Sequence, residues 1–155
     1  MNTNWPTIIT ALVALYGAII STYTLYSQRK EKTRQVNVKL TTGFLTSING
    51  GHSPPVLFLE ASNPGHIPVN LTSPGIILPD KINIVFPIPL SDVRFPYDLM
   101  PGKSCRVWVD LKGLASDLRN KGYSGNIKLI GFYRDAIGKE HKSKKYKLDI
   151  ESWVK

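Results

Sequence analysis

Three histidines (His52, His66 and His141), one cysteine (Cys105) and the carboxylate of Asp135 are the residues of this 155-residue chain that invite a search for chemistry. A metal site would need paired ligands at set spacings, such as His-x-x-x-His or Cys-x-x-Cys, and the histidines are instead scattered among different loops and strands. Cys105 alternates with Val107 and Val109, a pattern that buries the thiol in packing rather than exposing a nucleophile. Asp135 opens a Gly-containing turn, where an aspartate commonly bonds its own backbone; no second carboxylate is placed beside it for acid–base work. The "SINGGH" stretch (47–52) has the glycines of a phosphate loop but neither the Lys-Ser/Thr that contacts phosphate nor a following helix, so a hairpin loop is expected. The expectation is a non-catalytic protein with no cofactor and no metal.

Charge is the remaining chemical signal. The chain carries 20 basic and 11 acidic residues, a formal net charge of +9. One basic cluster is Arg29, Lys30, Lys32 and Arg34; the other is "KEHKSKKYK", with Lys139 followed by Lys142, Lys144, Lys145 and Lys147. Read as one strand, the second cluster puts Lys142 and Lys144 on one face and Lys145 and Lys147 on the other. Such lysines either guard a sheet edge against pairing or meet an anionic lipid surface. Nucleic acid is not expected, because no module of interleaved aromatic and basic residues accompanies the charge.

The element beneath the first cluster is the clearest in the sequence. From Trp5 to Tyr26 there are 22 residues without Asp, Glu, Lys, Arg or His, roughly 33 Å as a helix, which matches a hydrocarbon core of about 30 Å. Thr7, Thr10, Ser21, Thr22 and Thr24 can bond back to carbonyls one turn earlier, and Trp5, Tyr23 and Tyr26 suit the headgroup boundary. Pro6 fits a first helical turn. A cleaved signal would want a basic start and a small-x-small cleavage site; "MNTNW" and "STYTLYSQRK" supply neither, so a retained anchor is expected. The basic flank after the span predicts a short outer tail (1–4), a single pass through the inner membrane (5–26), a basic linker (27–34) and a domain in the cytoplasm (35–155). A reducing compartment agrees with a lone cysteine, and leaves the Asn70-Leu71-Thr72 glycosylation triplet unused. Ala14, Gly17, Ala18 and Ser21 form one face of small side chains on the span, a candidate helix-pairing surface.

Beyond residue 35 the pattern is mostly of period two, punctuated by Pro and Gly. Val36, Val38 and Leu40 alternate with polar residues; "PVLFLEAS" (55–62) reads as a central strand. "PVNLT" (68–72) alternates, then Pro74-Gly75 predicts a turn, and "GIILPDKINIVF" (75–86) reads as two short strands about Pro79-Asp80-Lys81, with Ile82, Ile84 and Phe86 on one face. Residues 87–97, with three prolines, suggest an irregular crossing between sheets or an edge, and Pro101-Gly102 a type II turn. "CRVWVD" (105–110) is a strand. "LKGLASDLRNKG" (111–122) is the one soluble helical pattern, and "NIKLIGFYRD" (126–135) with "HKSKKYKLDI" (141–150) closes the chain as a hairpin. About eight short strands and one short helix predict an all-β fold, an antiparallel sandwich behind the membrane helix.

Three segments carry a resemblance. "NPGHIPVNLTSPGIILPD", "FPYDLMPGKSCRVWVD" and "YRDAIGKEHKSKKYKLD" resemble a group of small bacterial proteins of uncertain function, with one N-terminal membrane helix and an immunoglobulin-like domain. The matching positions are Asn63, Gly65, Pro68, Val69 and Leu71; then Leu99, Pro101 and Gly102; then Asp135, Gly138 and Lys139. The resemblance implies an immunoglobulin-like sandwich and no reaction, since these residue types make turns. The functional expectation is a membrane-anchored binding or scaffold module that meets lipid and either a protein partner or another copy through its span. The alternative is a membrane-perturbing effector whose span assembles under control of the sandwich.

Overall fold

The computed structural model describes residues 4–31, 33–46 and 51–154. Lys32 and positions 47–50 of the Gly-rich loop lie outside the described residues, as does the side chain of Lys30. The chain divides into two units, Met1–Thr33 and Arg34–Lys155.

The first unit is helix α1, Trp5–Glu31, which runs 27 residues and so carries on beyond Tyr26 into the basic flank. Its Trp5–Arg29 stretch has a mean hydropathy of 1.8, long and apolar enough to cross a membrane. The hydroxyls of Thr10, Thr22 and Thr24 donate to the carbonyls of Pro6, Ala18 and Ile20 at 2.8, 2.8 and 2.9 Å. These side chains therefore need no water to satisfy their donors. The large apolar side chains Ile9, Leu12, Val13, Leu15, Tyr16 and Ile19 are all exposed, a surface that water does not favour.

The second unit is mostly β, with ten strands among the described residues arranged in two antiparallel sheets. The first sheet has the order β1–β2–β7–β5, where β1 is Asn37–Gly43, β2 Val56–Ser62, β5 Leu90–Ser91 and β7 Ser104–Asp110. The second has the order β10–β8–β3–β4, with β3 Val69–Ile77, β4 Asn83–Val85, β8 Asn126–Asp135 and β10 Tyr146–Asp149. Two short strands pair from the side, β6 (Tyr97–Leu99) on β3 and β9 (Glu140–Lys142) on β8. Residues 92–96, with Pro96, cross from β5 in one sheet to β6 in the other, while Pro87 and Pro89 precede β5.

Side chains of both sheets share one interior. Val38, Leu59, Ala61, Cys105 and Val107 from the first sheet meet Val69, Leu71, Leu99 and Tyr133 from the second. Each fully buried Leu or Val of this kind contributes roughly 2 kcal/mol. A second cluster forms where Leu111, Ala115 and Leu118 of helix α2 (Leu111–Asn120) pack with Leu57, Ile76, Leu129 and Leu148. Asp110, the last residue of β7, caps that helix by accepting from Gly113 N–H at 2.8 Å. Gly122, with φ of 89°, supplies the left-handed residue just after it.

Two readings of the sequence need correction. Pro74-Gly75 makes no turn: β3 runs straight through, with Pro74 opposite Tyr133 and Gly75 opposite Phe132. Pro74 accepts from Phe86 N–H at 3.0 Å, so its missing donor falls on the same side, just past the last residue of β4. The glycine is there for close approach. A Cβ at Gly75 would lie 2.5 Å from the carbonyl oxygen of Ile84 and 2.6 Å from the ring of Phe132. In the same hairpin Ile84 and Phe86 are half-buried, but Ile82 is exposed and leaves the predicted face.

The second correction concerns the basic strand, which is two strands. Phe132 faces Lys142 and Leu129 faces Tyr146, so three steps on β8 are met by four between β9 and β10. The extra residue is absorbed at Ser143. Its hydroxyl accepts from Gly131 N–H at 2.9 Å and its own N–H donates to Gly131 C=O at 2.8 Å, so a side chain replaces a ladder partner. A one-residue slip reverses which face each later side chain occupies.

Candidate functional site

The slip decides where the lysines go. Lys142, Lys144 and Lys145 line one groove of about 550 Å³ together with Lys39 of β1, while Lys147 sits opposite Lys128 on β8 and does not line it. The slip turns Lys145 and Lys147 to the exposed face of Lys142 and Lys144, in place of the predicted opposition of the two pairs. The groove's apolar lining is Val36, Val38, Leu40 and Tyr146; Val38 is buried and the other three are half-buried. Among the described residues no carboxylate lines it. Glu140 reaches Lys142 at 3.2 Å but also holds Arg134 at 2.8 Å, and both pairs pull its carboxyl below its ordinary range. Among the described residues Lys39, Lys144 and Lys145 are exposed and make no ion pair.

The backbone of the groove is as informative as its side chains. Strand β1 ends its sheet and, among the described residues, pairs with β2 alone. Asn63 N–H donates to Lys103 C=O and Leu111 N–H to Pro55 C=O, which turns the odd-numbered residues of β2 toward β7. Its even-numbered residues then pair with Asn37, Lys39, Thr41 and Gly43. It follows that Val38, Leu40 and Thr42 direct their backbone N–H and C=O groups away from β2, along the open edge.

Asp135 and His141 form a second polar cluster that spacing alone did not reveal. The Nε2 of His141 lies 3.1 Å from Oδ2 of Asp135, and both side chains are buried. The other carboxylate oxygen accepts from Ile137 N–H at 3.1 Å and Lys139 N–H at 2.9 Å, the local bonding expected of a turn aspartate. Burial alone pushes the pKa of this carboxyl up, but the bonds from His141, Lys139 and Ile137 outweigh it and hold the group below its ordinary range. The cluster is closed over by the turn, with Gly138 at φ of 84°. His52 and His66 are exposed and distant in sequence from it. Among the described residues no group of three or more His, Cys, Asp or Glu side chains could hold a metal.

Cys105 is fully buried, and burial pushes its thiol up to about 12, with the charge of Asp92 adding to the effect. It stays protonated at neutral pH, as a packing residue does. On α1, Ala14, Gly17, Ala18 and Ser21 are exposed, and a Cβ at Gly17 would meet nothing within 4 Å. The basic flank begins at Arg29, which is exposed in the last turns of α1, and ends at exposed Arg34.

The residues that carry the family resemblance interlock. Asn63 donates through Nδ2 to the carbonyls of Leu99 at 2.9 Å and Ile67 at 2.8 Å, and accepts from Gly65 N–H at 2.9 Å. Gly102, with φ of 71°, donates to the Asn63 carbonyl at 2.8 Å, and Lys103 N–H closes the turn onto Met100. Leu71 lies opposite Asp135 across the sheet. All of these positions build turns and registers.

No family model and no curated protein matches the chain. Among solved structures it is similar to the X-ray structure of Northeast Structural Genomics Consortium target SoR45, over 74% of this chain and 86% of that one, at 11% identity and a TM-score of 0.33. A likeness of that size carries no argument about fold or function.

Proposed function

We propose that this chain is a single-pass membrane protein whose immunoglobulin-like β-sandwich is a non-catalytic binding module held at the cytoplasmic face of the inner membrane. The observation that carries the reading is α1, whose large apolar side chains are exposed and whose Thr10, Thr22 and Thr24 hydroxyls are satisfied along the helix itself. Lipid is the environment that such a helix accepts. The run of Arg29, Lys30, Lys32 and Arg34 after the span favours an inward C-terminal domain. Tethering raises the domain's effective concentration toward partners at the same leaflet, which suits binding and scaffolding.

The reading of the domain as a binder rests on its free sheet edge beside unpaired lysines, against a polar interior whose Asp135 and His141 are spent on holding a turn. A C-terminal alkaline phosphatase fusion, active only outside the inner membrane, tests the arrangement. It should stay silent in cells while the chain remains in the membrane fraction after alkaline extraction. Strong phosphatase activity would overturn the orientation, and release of the chain by alkali would overturn the anchor.

A further inference from the structure

We propose that the groove between β1 and the β9–β10 edge binds an acidic, extended peptide segment of a partner protein, which adds to β1 as a further strand. The inference rests on the reading of this domain as a binding module and names its site and ligand class. Three features of the groove select that occupant. Its wall is an open strand edge, where Val38 and Leu40 present backbone donors and acceptors that only another extended backbone can match in series. Its rim is cationic: Lys39, Lys144 and Lys145 are exposed without an ion pair, Lys142 shares Glu140 with Arg134, and no carboxylate lines the space. Its apolar lining of Val36, Leu40 and Tyr146 is half-buried, so alternate side chains of an added strand would have apolar surface to cover.

A phospholipid surface fits less well. Lys142, Lys144 and Lys145 border a concave groove between two strand edges, and Lys147 lies outside it. A bilayer is flat, whereas a strand can enter. The six lining residues of β1 and its approach, 36–41, would match a segment of about 20 Å.

The test uses full-length protein in neutral detergent micelles and a short fluorescent peptide that alternates glutamate and valine. Saturable binding is expected, weakening as salt rises. Lys144→Glu combined with Lys145→Glu, both exposed positions, should weaken it by about tenfold or more. The same peptide N-methylated at every second residue loses its donors on one side; methylation in one of the two phases should abolish binding, a readout that no variant's folding can imitate. Absence of saturable binding, equal binding of both methylated peptides, or equal binding of a lysine–valine peptide would each overturn the proposal. Phosphatidylglycerol added to the micelles that shifts the amide resonances of the groove, where the peptide does not, would assign the groove to lipid headgroups and overturn it as well. The underlying reading fails elsewhere: an active phosphatase fusion removes the cytoplasmic placement without touching the peptide titration, and a null titration with a silent fusion removes the groove alone.

Discussion

The hydroxyl of Tyr133 donates to the carbonyl of Leu59 at 2.7 Å, a buried bond that joins the two sheets across 74 residues of sequence. Tyr133 is fully buried, and burial, its largest influence, pushes its phenol far above the ordinary range, so the group is a neutral donor at neutral pH. The bond ties β8 to β2 at the centre of the shared interior, next to the ring of Phe95 at 6.0 Å.

Replacing Tyr133 by Phe keeps the ring and removes this link. A loss of about 1 kcal/mol is expected, the usual net value of one buried hydrogen bond. Urea unfolding of the full chain, followed by tryptophan fluorescence, should show a lower midpoint with an unchanged slope.

Gly75→Ala discriminates between a turn and a strand at Pro74-Gly75. A turn would tolerate the methyl group or resist it through backbone conformation alone. In β3 the added Cβ meets the Ile84 carbonyl oxygen at 2.5 Å, a backbone atom that cannot step aside cheaply. The cost should be about 2 kcal/mol or more, read from the same urea midpoint. A neutral substitution would contradict the register of β3 with β4.

Asp135 gives the domain an acid limb. Its carboxyl is held below the ordinary range in the folded chain, because the bonds from His141, Lys139 and Ile137 outweigh burial. The stabilisation is therefore present above the unfolded carboxylate value of about 3.9 and is lost as pH falls through the lower folded value. Asp135→Asn should flatten stability against pH below about pH 4, while lowering stability at neutral pH. Glu140 and Asp80 are also held low, by Arg134 and by Tyr123 respectively, so some acid dependence should remain. An unchanged acid limb in the variant would show that the Asp135–His141 contact does not form in solution.

The small face of α1 makes a separate prediction within the membrane. If Ala14, Gly17, Ala18 and Ser21 pair helices, Gly17→Leu should weaken self-association by blocking close backbone approach. A Cβ at Gly17 meets nothing within 4 Å beyond the helix's own neighbouring backbone, and Leu favours a helix more than Gly does. A membrane two-hybrid signal that Gly17→Leu leaves unchanged would reduce the face to ordinary composition.

Much of the architecture is local and was therefore legible. An uncharged run of 22 residues fixes a helix long enough for a bilayer, because length and apolarity need no tertiary partner. Period-two alternation located β1 and β7, a compact apolar run located β2, Gly122 marked the end of α2, and Gly102 and Gly138 marked turns, where both have positive φ. Cys105 was readable as buried for the same reason.

Only the tertiary structure could decide what depends on a neighbour distant in the chain. Pro74-Gly75 is turn chemistry by itself; it lies in a strand because Ile84 and Phe132 press against the glycine and the ladder past β4 needs no donor from the proline. His141 meets Asp135 because β9 folds back on β8, which spacing does not announce. The lysine cluster was visible as composition, but its faces were set by one hydroxyl: Ser143 takes the place of a backbone partner at Gly131, the register slips, and three lysines join Lys39 at an open strand edge. Sequence periodicity fixes which side chains alternate; the register of one strand against another fixes what they face, and that is a property of the fold.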